Sequence, residues 1–302
     1  MSVDPALLEV GYARCAVLTK AYGTTYFWGA RTLPAAQRRD VYSVYALCRL
    51  ADDIVDAPHA TDGAHRERTG QELEAFVEAF RAHRAGASDD PVLAAAADTA
   101  ERRDIPQECF DRFFGAMGSD LLVTHYATYE DLLGYMEGSA AVIGEMMLPV
   151  LEPTDRRAYA PARDLGLAFQ LTNFLRDVDE DRDRDRHYLP LEDFERFGAD
   201  PDARSVTPEW KALMRFEIER TRALYAHADT GMEYLPRASA RCVVIARRLY
   251  SRILDLIEDA DYDVFAARVQ LPTWRKAGMA ARLMATPASR WQAAGSPPAR
   301  RR

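Results

Sequence analysis

Three aspartates lie within a stretch of sequence that otherwise has the composition of a protein interior, YALCRLADDIVDA at residues 45–57. With about 100° of rotation per helical residue, the polar side chains of this region fall on one narrow stripe. The stripe consists of Tyr42, Tyr45, Arg49, Asp52 and Asp56. The rest of the circumference is apolar and carries Val41, Val44, Leu47, Leu50, Ala51, Ile54 and Val55. Because a helix that is apolar on nearly every side is buried, we predict that the stripe lines an internal cavity.

The remaining aspartate of this segment, Asp53, lies at the edge of the stripe and is assigned a weaker role. By spacing alone, Asp52 and Asp56 resemble ordinary solvated acids of a surface helix, and that alternative stays open at this point. Their apolar surroundings argue against it, because carboxylates are rarely buried without a partner. A fold that buries these acids must also supply the positive charge that neutralises them.

A second row of oxygen donors lies in the segment QLTNFLRDVDED, which begins at Gln170. Asn173, Asp177 and Asp181 are spaced by four residues and therefore lie on successive turns of one helix face. The opposite face carries Leu167, Leu171, Phe174, Leu175 and Val178. An amphipathic surface helix has the same pattern, so this row indicates a site mainly in combination with the first.

Together the two rows predict a metal-dependent site for a diphosphate group. Acids spaced by four residues repel each other within a helix, and burial raises the cost of their charge further. A divalent cation relieves both costs, and oxygen ligands suit Mg²⁺, which keeps open positions for water and phosphate. Neither row contains histidine, which argues against zinc. Arg49 and Arg176 add fixed positive charge within reach of a bound anion.

The remainder of the chain predicts an all-α protein. Apolar residues recur at three and four positions in segments such as 71–84, 164–178 and 241–259, and alternating strand-like patterns are scarce. Breaks rich in Pro, Gly, Asp and Ser divide the sequence into eight to ten expected helices. We assign residues 1–278 to one catalytic domain. Residues 279–302, rich in small residues, Pro and Arg, are expected to form a disordered tail.

Composition excludes several classes of protein. The net charge of −8 argues against nucleic acid as a partner, because phosphate-backbone binding requires a basic face. The four cysteines have no paired spacing and are expected to be reduced, mostly buried thiols. We find no signal peptide and no apolar run of about 18 residues or more, as a membrane span requires. These features predict a soluble cytoplasmic protein, and they leave open a peripheral contact with the inner membrane surface.

Five segments carry a resemblance to a known family. They are TTYFWGARTLP (24–34), VYSVYALCRLADDIVD (41–56), YATYEDLLGYMEGSAAVIGEMMLPVL (126–151), FQLTNFLRDVDED (169–181) and RHYLP (186–190). With these segments the chain resembles the squalene/phytoene synthase family of head-to-head prenyl transferases, and within it the bacterial phytoene synthases. The likeness extends from about residue 10 to RVQLPTWRK at 268–276. It implies an all-helical isoprenoid-synthase fold around one deep apolar cavity with a metal–diphosphate cluster at its mouth.

The resemblance also implies ligands for the metal. Carried over by position, the first motif would hold Mg²⁺ through Asp52 and Asp56, and the second through Asn173, Asp177 and Asp181. Two or three ions are expected, with Mn²⁺ as a substitute. No NADPH is expected.

Roles in substrate binding follow from the same likeness. Arg49 and Arg176 would bind diphosphate oxygens, with Tyr45 and Thr25 as hydrogen-bonding neighbours. Gln170 would face the cavity near the reacting carbons.

Three further positions are carried over with it. Arg186 and Tyr188, after the second motif, would contact the substrate, and Ala30 would lie at the cavity wall and favour a longer prenyl chain. One departure concerns the loop over the diphosphates, because many relatives have glycine where this chain has Asp185.

Aromatic and small residues are expected to shape the cavity. Candidates for its wall, which would stabilise positive charge and exclude water, are Phe27, Tyr42, Phe169 and Phe174, although ordinary core packing remains the alternative for each. Small residues cluster at Gly138, Ser139, Ala140, Ala141 and Gly144, and the glycines among them weaken a helix by propensity. They fit either room for two long chains or close helix packing.

The implied reaction is the condensation of two geranylgeranyl diphosphates, through prephytoene diphosphate, to phytoene. The alternative is a squalene-, presqualene- or dehydrosqualene-type synthase that acts on farnesyl diphosphate. A more remote alternative is a non-catalytic assembly or lipid-binding member of the family. A class I terpene cyclase would carry Ser or Thr where this chain has Asp177, and a head-to-tail elongator would repeat the first acidic motif, which this chain does not.

Overall fold

The structure is a computed structural model, and it describes residues 4–57, 60, 63–84 and 89–285. These residues form thirteen α-helices, joined by short π and 3₁₀ segments. The helices are α1 (Pro5–Tyr22), α2 (Thr24–Ala30), α3 (Ala35–Val55), α4 (Gly63–Arg84), α5 (Pro91–Arg102), α6 (Gln107–Ser119), α7 (Tyr129–Met136), α8 (Val142–Leu151), α9 (Tyr159–Arg182), α10 (Leu191–Phe197), α11 (Pro208–Asp229), α12 (Arg237–Asp259) and α13 (Thr273–Ala285).

The prediction of an all-α fold is confirmed. Within the described part of the chain, the only strand-like pairing is an isolated bridge between His125 and His187. The number of helices exceeds the expected eight to ten, because α2, α7 and α10 have only seven or eight residues each and show no long periodic pattern. All four cysteines are buried and free, as expected. None of the described helices combines the length and apolar character needed to cross a membrane.

Local sequence fixes where several helices begin. The carboxylate of Asp90 accepts the backbone N–H groups of Val92 and Leu93 at 2.8 and 3.0 Å, and Pro91 occupies the first position of α5. These bonds satisfy N–H groups that the first helical turn leaves without partners. At α7, Thr128 and Asp131 form a reciprocal capping box.

Helices α3 and α9 form the centre of the bundle. Helix α9 packs against α8, α11 and α12, and α3 packs against α1, α5 and α8. The burial predicted for α3 is confirmed, since Val44, Leu47 and Ala51 are at most 1% exposed. The two helices that carry the acidic motifs are therefore held on most sides by protein, which fixes their orientation to each other.

A buried ion-pair cluster joins three helices beside this centre. Glu145 of α8 is 6% exposed and accepts two 2.9 Å hydrogen bonds from Arg112 of α6. It also pairs with Arg163 of α9. Burial alone would raise the pKa of Glu145, but the bonds from Arg112 prevail and lower it to about 2. The cluster fixes α6, α8 and α9 relative to one another.

The small residues at 138–144 serve both of the purposes considered from sequence. A Cβ atom on Gly138 would lie 2.7 Å from the carbonyl oxygen of Arg112, and one on Gly144 would lie 2.2 Å from that of Ala162. Glycine therefore allows the backbones to approach closely at both positions. Ser139 and Gly144 also line the central cavity, whereas Gly138 does not.

The expected start of the disordered tail is wrong. Residues 279–285 belong to α13, where Ala280 is fully buried and Met279 and Leu283 pack against a small cluster with Ile245 and Leu249. Alanine, leucine, methionine and arginine, which make up residues 279–285, are good helix formers, and the apolar spacing continues beyond residue 279. The rest of the predicted tail, residues 286–302, lies outside the described residues.

We predict that Gly138→Ala destabilises the protein by about 1–3 kcal/mol, because the added methyl group overpacks the contact with α6. Gly134 is the matched control, since it lies in α7 and a methyl group added to it would have no other atom within 4 Å. Gly134→Ala should raise the free energy of unfolding by up to ~1 kcal/mol through helix propensity. Urea unfolding of both variants measures the difference. Equal stability changes would show that close packing does not explain Gly138.

Candidate active site

One cavity of about 1000 Å³ lies at the centre of the helices. Residues of α3, α9 and α12 line it, together with the segment that leads into α13. On α9 the lining extends from Pro161 to Asp181, a distance of about 30 Å along the helix axis at ~1.5 Å per residue. The cavity is therefore long, and its two ends differ in chemistry.

The first acidic row faces this cavity as predicted. Tyr45, Arg49, Asp52 and Asp56 all line it. Helix α3 ends at Val55, and the backbone N–H of Asp56 donates to the carbonyl oxygen of Asp52 at 2.8 Å. The weaker role of Asp53 fits its position, because it pairs with Arg49 and is not part of the lining.

The second row faces the same cavity. Gln170, Asn173, Arg176, Asp177 and Asp181 line it. The side-chain oxygen of Asn173 accepts a 2.5 Å hydrogen bond from the hydroxyl of Tyr250 on α12. Both predicted rows of oxygen donors are thus brought to one cavity from helices far apart in the sequence.

Burial and mutual repulsion raise the pKa of one acid in each row. Desolvation raises the pKa of Asp52 well above its usual range, and the neighbouring charge of Asp56 adds to this. Desolvation likewise raises the pKa of Asp181, with a contribution from Asp177. Asp56 also acts on Asp181 across the cavity, so the two rows lie within electrostatic reach of each other.

Arginine side chains pair with the other two acids, Asp177 and Asp56. Asp177 accepts a 2.7 Å hydrogen bond from Nε of Arg176, and Arg268 approaches both of its oxygens at 3.0 Å. Arg186 donates to Asp56 at 2.7 Å and to the carbonyl oxygen of Val55 at 2.8 Å. The two-point contact by Arg268 gives the Asp177 carboxylate a fixed orientation, and Arg186 ties Asp56 to the end of α3.

Arg186 was predicted to contact the substrate, but its position in the structure does not favour this. Arg186 is 3% exposed and does not line the cavity. Its guanidinium is used within the protein, where it fixes Asp56 at the end of α3. The sequence could not reveal this, because Arg186 and Asp56 are separated by 130 residues.

The oxygen donors fit a hard divalent cation. The two rows present four carboxylates and one amide oxygen, and desolvation together with the neighbouring acids raises the pKa of Asp52 and of Asp181. A divalent cation prefers such ligands and would relieve this repulsion. Among the described residues, however, no group of three or more His, Cys, Asp or Glu side chains is arranged to hold a metal ion.

Tyr188 also lines the cavity, next to an acid that the sequence analysis missed. Its ring stacks on Phe174 with centroids 4.0 Å apart, and its hydroxyl donates to Asp120 at 3.2 Å. Tyr135 donates to the other oxygen of Asp120 at 2.6 Å. Burial raises the pKa of Asp120 to about 6. Asp120 stands alone in the sequence and belongs to no spaced motif, so only the fold identifies it.

Aromatic rings surround the middle of the cavity. The Tyr26 ring lies 5.5 Å from those of Tyr45 and Phe169 and 5.9 Å from that of Tyr250. The ring of Phe169 lies 4.8 Å from that of Tyr250. These four side chains line the cavity. Tyr26 and Tyr250 were missed, although Tyr26 lies in one of the segments that carry the family resemblance.

The expected wall residues are confirmed in part. Phe169 and Phe174 line the cavity, whereas Phe27 and Tyr42 do not. The latter two stack on each other at 5.6 Å in the surrounding core. Tyr42 lies nearly three helical turns before Asp52 and at the margin of the stripe, so it faces a neighbouring helix.

Of the two predicted site residues on α2, Thr25 and Ala30, only one lines the cavity. Thr25 lines the cavity, as expected. Ala30 is fully buried at the far end of α2 and is not part of the lining. The prediction that Ala30 lies at the cavity wall is therefore wrong.

Two further basic residues, Arg268 and Lys276, complete the polar end of the cavity. Burial lowers the pKa of Lys276, and the charges of Arg176 and Arg268 lower it further. With Arg49, Arg176 and Arg184, which also line the cavity, five basic side chains face the acids. The sequence could have indicated Arg268 and Lys276, because they lie in the basic segment RVQLPTWRK, which follows an acidic region. The sequence analysis assigned no role to this segment.

Comparison with known proteins agrees with this geometry. The family model "Squalene/phytoene synthase" matches residues 19–275. The chain is 34% identical to the 15-cis-phytoene synthase of Synechococcus elongatus, with 90% of this chain and 91% of that protein covered. It is 35% identical to the phytoene synthase of Arthrospira platensis, with 90% and 92% covered.

The chain belongs to the squalene/phytoene synthase family. The fold agrees with this, because a dehydrosqualene synthase in complex with a ligand superimposes with a TM-score of 0.82 at 25% identity, covering 92% of this chain and 96% of that one. A squalene synthase from Alicyclobacillus acidocaldarius gives a TM-score of 0.75 at 28% identity, covering 86% and 97%. The isoprenoid-synthase fold expected from the resemblance is confirmed.

The structure explains how the chain accommodates Asp185 at a position where the family resemblance leads us to expect glycine. Helix α9 ends in a Schellman turn, in which the N–H of Arg186 donates to the carbonyl oxygen of Asp181 and that of Asp185 to Arg182. Asp185 has φ +57°, a left-handed conformation that favours glycine. Aspartate tolerates it better than most residues do. The turn directs Arg186 towards Asp56, so its geometry is kept despite the substitution.

We predict that Asp185→Ala is less stable than Asp185→Gly by about 1 kcal/mol, because alanine is strained at positive φ. Asp185 is exposed, so neither variant loses core packing. Asp183→Ala is a control at a nearby exposed position with φ −63°. Chemical unfolding measures all three. If Ala and Gly at residue 185 are equally stable, the turn does not have the left-handed conformation described here.

Proposed function

We propose that this protein is a phytoene synthase, which joins two molecules of geranylgeranyl diphosphate head to head. The observation that carries the proposal is a single long cavity with oxygen donors and basic side chains at one end and apolar side chains along the rest. The two relatives named above are called phytoene synthases, and the match covers most of their length. They support the C20 substrate. The solved dehydrosqualene and squalene synthases keep a C15 substrate as the alternative.

The far end of the cavity suits long prenyl chains. Its lining there is apolar and includes the small residues Ala158, Pro161, Ala162, Ala228 and Gly231. Ala162 lies about 22 Å along α9 from Asp177 at ~1.5 Å per residue. Small side chains at this distance leave room for the tails while the diphosphates occupy the polar end.

Basic side chains at the polar end would bind the diphosphate. Arg49, Arg176, Arg268 and Lys276 all face the cavity, and arginine presents paired donors that match phosphate oxygens. When diphosphate arrives it competes with Asp177 for Arg176 and Arg268. The released carboxylate is then available to a cation.

Magnesium would be held by Asp52 and Asp56 from one side and by Asn173, Asp177 and Asp181 from the other, with diphosphate oxygens as the remaining ligands. When bound, it supplies positive charge that stabilises the departing diphosphate. The arrangement of donors on two helices explains why the protein alone forms no compact group of acids among its described residues.

The chemistry proceeds in two ionisations. In the first, the C–O bond of one molecule breaks and diphosphate leaves with the electron pair. The double bond of the second molecule attacks the allylic cation, and loss of a proton closes the cyclopropane of prephytoene diphosphate. In the second, the remaining diphosphate leaves, the skeleton rearranges, and loss of another proton gives phytoene. Two protons and two diphosphates are released, so no reductant is consumed.

The protein must stabilise the carbocations and exclude water. The rings of Tyr26, Tyr45, Phe169 and Tyr250 border the middle of the cavity, and an aromatic face attracts a nearby cation. They lie between the diphosphate end and the apolar end, where the reacting carbons must be. An apolar wall there prevents quenching by water.

The test is incubation of the purified protein with Mg²⁺ and geranylgeranyl or farnesyl diphosphate, without NADPH, followed by mass analysis of the products. Phytoene from the C20 substrate is the expected result. A C30 product formed only from farnesyl diphosphate would assign the protein to the squalene branch. Absence of any product with either substrate, with the protein folded, would contradict catalysis.

Asp52→Asn should lower the rate of product formation on the order of 100-fold, because it removes a charge that would hold the metal at the diphosphate end of the cavity. Asp53→Asn is the matched control at the adjacent residue and should lower the rate only a few-fold, since Asp53 does not line the cavity. Steady-state rates at saturating Mg²⁺ separate the two. Equal losses would show that the placement of Asp52 in the cavity is not what matters.

Ala162→Phe should shorten the product, because it fills the apolar end about 22 Å from Asp177. We expect the ratio of C20 to C15 consumption to fall at least tenfold. Ala30→Val, outside the lining, should affect stability without altering this ratio. Competition between the two substrates gives the ratio directly, and an unchanged ratio in Ala162→Phe would exclude this end of the cavity as the site of chain-length selection.

A further inference from the structure

Positive charge is concentrated in one part of this acidic protein. Residues 264–302 contain eight Lys or Arg and no Asp or Glu. The whole chain has 39 Lys or Arg and 47 Asp or Glu, so residues 1–263 carry a formal net charge of −16. Such a separation of charge orients a protein towards an anionic surface, because the acidic part is repelled while the basic part is attracted.

Helix α13 is the described element of this basic region. Its inner face, with Met279, Ala280 and Leu283, packs against the cluster around Ile245 and Leu249. The outer face consists of Trp274, Arg275, Gly278, Ala281 and Arg282, all of them exposed.

The outer face of α13 combines an exposed aromatic ring with positive charge. Trp274 is 71% exposed, and the guanidinium of Arg275 lies 5.1 Å from its ring centre. Small residues at 278 and 281 leave the surface between the tryptophan and Arg282 open, with nothing within 4 Å of a methyl group at Gly278. Tryptophan prefers the headgroup level of a bilayer, and arginine binds anionic headgroups.

Helix α13 begins beside the cavity, so a contact made by its outer face would lie close to the substrate. Leu271, Pro272, Thr273 and Lys276 line the cavity and lie at or immediately before the first turns of α13. A bilayer that contacts the outer face of α13 would lie near this part of the cavity wall. Long prenyl chains and an apolar product partition into lipid, so this contact would shorten their path.

We propose that the outer face of α13 docks the protein on anionic lipid, with Trp274 in the headgroup region and Arg275 and Arg282 against lipid phosphates. This inference depends on charge and exposure, and it holds whether the substrate is C20 or C15.

The test is flotation of the full-length protein with phosphatidylcholine vesicles, with and without phosphatidylglycerol. Binding is expected only to the anionic vesicles and should weaken as salt is raised. Arg275→Glu combined with Arg282→Glu should weaken binding roughly 20-fold or more, since each surface arginine contributes about one kcal/mol to attraction by anionic lipid. Trp274→Ala should weaken it several-fold.

Matched controls separate docking from net charge and from general stickiness. Arg66→Glu combined with Arg68→Glu makes the same change in net charge at exposed positions of α4 and should leave binding unchanged. Val17→Ala removes an apolar side chain on α1 that is 68% exposed and should also have no effect. Thermal unfolding confirms that every variant is folded.

Three outcomes would overturn the proposal. They are equal binding to neutral and anionic vesicles, equal effects of the α13 and α4 charge reversals, and retention of an oligonucleotide without any binding of vesicles, which would assign the basic face to nucleic acid. Since flotation needs no substrate, its result is independent of whether phytoene is formed.

Discussion

The charge balance among buried carboxylates at one end of the cavity is the constraint on which the rest of the structure depends. Asp52 and Asp181 lie in an environment that raises their pKa values, because desolvation and neighbouring acids both disfavour ionisation. Arg186 and Arg268, which come from outside the two acidic motifs, hold Asp56 and Asp177 in place. Such a site pairs two of its acids internally and leaves two others without an arginine contact of this kind, beside basic side chains that line the same cavity. It therefore suits a ligand that carries both a cation and an anion, such as a metal diphosphate.

This arrangement also explains why the helices around the cavity must be held firmly. Helix α9 carries the polar lining near its end and small apolar lining near its start, so a single rigid element sets the distance between the two ends of a substrate. Close backbone contacts at Gly144 and the ion pairs of Glu145 fix α8 against it. A flexible frame would let the acids separate or let water reach the reacting carbons, and either would reduce the electrostatic stabilisation that the reaction needs.

The distribution of charge over the whole molecule follows a related principle. The acidic motifs require basic partners nearby, and Arg268 and Lys276 supply them from the same segment that leads into α13. The exposed face of α13 continues this positive charge to the surface. One basic segment thus lines the cavity on its inner side and, in the docking that we propose, would meet an anionic surface on its outer side, while the remaining acidic surface would disfavour other orientations.

The sequence by itself determined the fold class, the two rows of oxygen donors, and the cavity that they face. Helical spacing of four residues and the apolar residues around Asp52 were enough for this, because both are local properties of a helix. The sequence did not determine the role of Arg186, the position of Ala30, or the participation of Asp120, Tyr250 and Arg268. Those depend on contacts between residues dozens of positions apart, and on which side of a buried helix meets the cavity rather than a neighbouring helix. Only the tertiary packing decides such contacts. Local spacing specifies which residues share a helix face, but it does not specify whether that face contacts the cavity or another helix.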